Sequence, residues 1–113
     1  MDGPIYSKSF DFALRIVNLK KYLNSKREYD IAKQILRSGT SIGANVAEAR
    51  QAQSRADFIT KMSIALKEAS ETDFWLSLLY RAGYLTESQY NSLAADCNEL
   101  NRLLTSIIKS SKE

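Results

Sequence analysis

Apolar side chains in this chain recur every three or four residues and rarely alternate, so the pattern predicts helices and gives strands little support. Breakers are scarce: Pro4 is the only proline, and the four glycines are Gly3, Gly39, Gly43 and Gly83. Four helices are predicted, over about 9–24, 30–53, 54–82 and 86–110, with residues 1–8 as a flexible N-terminus. Ser54 and Asp57 have capping-box spacing at the start of the third helix, and Thr86 and Gln89 have it at the start of the fourth. Gly83 is placed to end the third helix in the left-handed conformation. Short connections make successive helices antiparallel neighbours. The expected fold is therefore all-α, one domain over 1–113, an antiparallel up-down-up-down four-helix bundle.

Placing side chains at about 100° per residue gives the fourth helix one core stripe, Leu93, Cys97, Leu100, Leu104, Ile107 and Ile108. The first helix has two, Phe12-Ile16-Leu19-Leu23 and Phe10-Ala13-Leu14-Val17. The third combines a core stripe (Phe58, Met62, Ala65, Ala69, Leu76, Leu79) with Ile64, Phe74, Trp75 and Leu78 on its other side. One small bundle buries one side of a helix, so the second side argues for burial against another copy of the chain.

The second helix carries the least ordinary stretch, residues 37–48, with two glycines that cost a helix interior about 1 kcal/mol each relative to alanine. Gly39 and Gly43 lie beside Ala32 and Ala47, a smooth strip where a neighbouring backbone can come close. They match neither nucleotide-binding fingerprint, and no strand precedes them. Next to the strip runs a polar seam, Gln34, Ser38, Ser41, Asn45, Glu48 and Gln51, read as a partly buried hydrogen-bonded network that sets register. Arg50 on the small, apolar side of this helix and Asp73 on the core side of the third are expected to need partners, with Glu68, Glu71 or Asp73 as candidates for Arg50.

Composition narrows the function classes. With 44% hydrophobic and 26% charged residues the chain has a globular balance. No stretch approaches the roughly 18 apolar residues of a membrane span, and the first residues lack a secretory pattern. The single cysteine, Cys97, fits a reducing compartment. A cytoplasmic protein is expected. The absence of histidine removes the commonest general base and metal ligand, and with it the Glu-x-x-His di-iron site of helical bundles. Cys97 lies among leucines as a small hydrophobe. No enzyme activity, cofactor, metal or small-molecule substrate is expected.

The net charge of +3 divides unevenly: residues 1–56 hold 10 basic against 5 acidic side chains, and residues 57–113 hold 6 against 8. Lys20, Lys21, Lys26 and Arg27 around the first connection, with Lys33 and Arg37 on the second helix, form a candidate phosphate-binding set. Repeated around an oligomer, they would gain avidity. The competing reading is a protein-interaction or structural bundle in which Phe74 and Trp75 serve a partner and the lysines serve solubility.

The run 37–49 (RSGTSIGANVAEA), then Ser54-x-x-Asp57-Phe58, then 62–76 (MSIALKEASETDFWL), resembles the bacterial four-helix bundle proteins related to those encoded in intervening sequences of 23S ribosomal RNA genes. The likeness runs from about Phe10 to Ile108, with Glu48-Ala49 in place of the usual Glu-Gly and Lys67-Glu68 in place of a common Gly-Ser. The resemblance implies an up-down bundle, frequently a homopentamer. A similar protein is the accessory protein of diversity-generating retroelements, a basic pentameric barrel that associates with nucleic acid and a reverse transcriptase. The partners this implies are the chain itself and RNA or a nucleic-acid-processing protein.

Overall fold

A computed structural model describes residues 3–113, which form four helices: α1 (Pro4–Ser25), α2 (Asp30–Ala49), α3 (Arg55–Arg81) and α4 (Glu87–Lys112). The antiparallel order is visible in which residues meet. Gly43 lies against Ser9 and Gly39 against Ile16, Ser38 against Thr72 and Glu48 against Lys61, and Ser77 against Tyr90 with Ala69 against Cys97. In each pair of helices the number rises on one as it falls on the other. α2 and α3 each pack on two neighbours, the seam between α1 and α4 is the thinnest, and α1 and α3 do not meet across the diagonal. The bundle measures 44 × 20 × 19 Å, about the length of the 27-residue α3 at 1.5 Å per residue.

The helix ends follow local chemistry. The Ser54 hydroxyl accepts from the Asp57 amide, while the Asp57 carboxylate reaches back to the amide of Gln53 rather than to that of Ser54. Thr86 and Gln89 form the full reciprocal box. At Gly83 (φ +90°) the chain turns left-handed, with the Gly83 amide on the Tyr80 carbonyl and the Tyr84 amide on that of Leu79. α1 ends in the same way, but with Arg27 (φ +63°) as the left-handed residue and the Glu28 amide on the Leu23 carbonyl.

Two boundaries differ from expectation. A flexible segment over 1–8 is not what residues 4–8 form; residues 1–2 lie outside the described residues. Pro4 sits in the first turn of α1, where its missing amide hydrogen costs nothing and its fixed φ suits the helix. Ile5 then joins the core at 2% exposure. α2 stops at Ala49 rather than near 53, because Ser54 must be extended (φ −157°, ψ 166°) to cap α3, and residues between them make the turn.

The core draws on every helix: Phe12, Ile16 and Leu23 from α1, Ile35, Ile42 and Val46 from α2, Met62, Leu76 and Leu79 from α3, and Leu100 and Leu104 from α4. Of the two stripes on α1, the bundle buries the one through Phe12 and leaves Phe10 and Leu14 outside.

Candidate nucleic-acid interface and helix-packing seams

The small residues of α2 act on α1. A Cβ at Gly43 would stand 3.2 Å from the Ser9 carbonyl oxygen, and one at Gly39 would stand 2.8 Å from Cγ1 of Ile16. Ser9 is itself small and buried, so the helices cross where neither carries bulk. The glycines therefore set the separation of α1 and α2.

The polar seam of α2 faces α3, and its members divide. Ser38 and Thr72 are both buried and hydrogen-bonded at 2.9 Å, while Glu48 pairs with Lys61 at 3.0 Å. Ser41 and Asn45 bond only to carbonyls of their own helix, those of Arg37 and Ser41. They cover the seam without bridging it. Sequence reasoning missed that Arg37 closes this seam: its guanidinium lies 3.1 Å from Glu68 and 2.6 Å from Glu71. The Glu71 carboxylate also accepts from the Trp75 indole at 3.0 Å. Arg37 and then Trp75 hold the Glu71 carboxyl below the usual carboxylate range.

Three expectations about charged and reactive groups are corrected or sharpened here. Arg37 does not stand with the other five cations of the expected set, because two carboxylates occupy it. Arg50 does not form a buried pair with the carboxylates of α3: Glu68 and Glu71 belong to Arg37, Asp73 is exposed, and the Arg50 guanidinium lies 4.1 Å from the centre of the Tyr6 ring. Cys97 is wholly buried, its thiol donates to the Ala69 carbonyl, and burial, followed by the nearby Asp73 charge, pushes its pKa up to about 12. That thiol is protonated and enclosed. Among the described residues no group of three His, Cys, Asp or Glu comes together to hold a metal ion. Among the described residues no helix is long and apolar enough to cross a membrane.

The other five cations of the expected set lie at one end of the bundle. Lys20 and Lys21 lie in the last two turns of α1, Lys26 and Arg27 in the connection, and Lys33 in the first turn of α2. All but the half-buried Lys20 are exposed. None of the five is in an ion pair among the described residues. The nearest acid in sequence, Glu28, uses its carboxylate to accept from the amides of Ile31 and Ala32 and so caps α2. Two aromatic rings sit among them: Lys26 lies over Tyr22, and Tyr29 is 53% exposed.

The second apolar sides stay uncovered. On α1, Phe10 is 70% and Leu14 55% exposed; on α3, Phe74 is 59% and Leu78 39% exposed. Phe74 meets Trp75 edge-to-face at 5.0 Å, which fixes both rings. Beside Phe10 a groove of about 400 Å³ opens between α1 and α2, floored by Gly43 and Ala47 and bounded by Tyr6 and Arg50. It exists because small residues leave the space, a feature no periodicity count reveals.

Residues 1–106 match the family profile described as 23S rRNA-intervening sequence protein. The chain is also similar to a protein of unknown function from the S23 ribosomal protein family of Bacteroides thetaiotaomicron VPI-5482, known from its crystal structure. The two are 61% identical, with a TM-score of 0.92 over 93% of this chain and 98% of that one. A search of curated proteins finds no match.

Proposed function

Because the chain belongs to the 23S rRNA-intervening sequence protein family, we propose that it is a non-enzymatic homo-oligomeric bundle, a pentamer, which scaffolds RNA or a ribonucleoprotein through its basic end. The observation that carries this reading is the set Lys20, Lys21, Lys26, Arg27 and Lys33, gathered at one end of the bundle and outside its ion pairs. Ion pairs cross the α1–α4 and α2–α3 seams of this bundle, and five clustered cations left out of them suit a polyanion. Tyr22 and Tyr29 add flat surfaces on which unpaired bases stack. The uncovered apolar sides of α1 and α3 support self-association. Copies of one basic end in one assembly bind a single strand with higher effective concentration than each alone.

Native mass by light scattering, at low and high salt and with a mixed RNA pool, tests both halves. A five-chain mass that rises with RNA at low salt is expected. If four phosphates are neutralised, log K falls with log salt with a slope near −3, or about 50- to 100-fold between 50 and 200 mM. Replacing Lys20, Lys21 and Lys33 together by Glu lowers RNA affinity at least tenfold and flattens that slope, with helicity unchanged. RNA binding indifferent to salt and to these substitutions would overturn the scaffold, and a monomeric mass would overturn the assembly.

A further inference from the structure

We infer that a pocket between α1 and α4, at the basic end of the bundle, receives one unpaired base of a single-stranded RNA while the cations beside it hold the neighbouring phosphates. The inference rests on the RNA binding proposed above and adds which part of the strand enters the fold, and where. The pocket measures about 310 Å³ and lies on the thinnest seam, between the C-terminal half of α1 and the first turns of α4. Leu19, Leu85 and Leu93 line it. They are the three most exposed members of the core, at 7%, 5% and 6%, and every other core residue is at 3% or less. The apolar interior is therefore least covered at this pocket.

The walls suit a flat ring with polar edges. Tyr22 supplies an aromatic surface for stacking. Asn18 is exposed and makes no side-chain hydrogen bond among the described residues, and Gln89 spends only its carbonyl oxygen, on the Thr86 amide. An amide presents donors and an acceptor together, which the edge of a base can use and an aliphatic group cannot. Arg15, the one charged wall, is engaged by Asp96 at 2.6 Å and by Ser92 at 2.9 Å, so the pocket itself is close to neutral. Glu87 is exposed and does not line it. The cations stand at its edge: Lys26 Nζ lies 5.6 Å from the centre of the Tyr22 ring. Lys21 follows Asn18 by three residues, the spacing of neighbours on a helix face. A neutral pocket flanked by cations matches a base joined to its phosphates, whereas the apolar side chain of a peptide would leave the amides and the cations unused.

Two probes test this on the full chain: a mixed-sequence single-stranded RNA of about twelve nucleotides and an abasic strand of the same length. They carry the same phosphates, and only the first carries bases. The wild type should bind the first at least about fivefold more tightly. Asn18→Leu, at an exposed position, fills the pocket and removes an amide, and Tyr22→Leu removes the ring. Each should lose that preference with helicity and melting retained and the salt slope unchanged, because no phosphate contact is touched. Tyr22→Phe, which keeps the ring, should bind as the wild type does. An abasic strand bound as tightly as the base-bearing one, or both leucine variants keeping full affinity, overturns the base pocket and leaves the phosphate scaffold standing. Displacement of the strand by micromolar adenosine monophosphate overturns it too, in favour of a site for a free nucleotide. A wild-type chain that binds neither strand overturns both this inference and the reading beneath it, so the two failures are distinguishable.

Discussion

Position 39 shows how much one methyl group matters where two helices cross. Alanine is better than glycine in a helix interior by about 1 kcal/mol, so on propensity alone Gly39→Ala should stabilise. The new Cβ would lie 2.8 and 2.9 Å from the two Cγ atoms of Ile16, a β-branched side chain with 0% exposure and no room to rotate. Overpacking of this kind costs about 1–3 kcal/mol. We expect Gly39→Ala to lower stability by about 1 kcal/mol in denaturant titrations. Combined with Ile16→Ala, which removes both clashing atoms, the loss should fall short of the sum by at least about 0.5 kcal/mol. A stabilised Gly39→Ala would mean that α1 yields. The purpose of Gly39 and Gly43 was legible in the sequence, because small residues at helical spacing have few other uses. The partners of Arg37 and Arg50 were not: a wheel gives the direction of a side chain but not which neighbour arrives there first.

Among elements, the α2–α3 seam is where pH enters. Arg37 and Trp75 favour the ionised form of Glu71, so its carboxyl titrates below the ordinary 4.5 in the fold. The stabilisation is fully present above that ordinary value and is lost as pH falls through the lower folded value. Melting temperature should therefore decline on the acid side, and Glu71→Gln should show a shallower decline as pH falls below the ordinary 4.5. Equal slopes would remove Glu71 from the acid response. Arg37 is 49% and Glu71 35% exposed, so solvent screens the pair and the effect is modest. Element identity and the caps at Ser54, Thr86 and Gly83 could be read from the sequence, since each rests on residues three or four apart. The start of α1 could have been read as well, because a proline at a first turn is a helix signal. The end of α2 depended on the extended backbone of Ser54, which belongs to the next helix.

At the scale of the whole molecule, four helices with short connections leave few arrangements. What the sequence hides is how evenly the bundle is closed. The Lys8–Glu99 and Arg15–Asp96 contacts join residues 91 and 81 positions apart, and no local pattern announces them. They lie on the thinnest seam, between α1 and α4, with each side chain 40–47% exposed. The bundle is thus less a tube than a rolled strip whose two long edges are pinned by charge. In native-state hydrogen exchange, interior amides of α1 and α4 should open at lower free energy than those of α2 and α3. Added salt should widen that gap, since screening loosens the pins and leaves the oily seams intact. Uniform protection across all four helices, unchanged by salt, would mean that the strip has no edge at which to unroll.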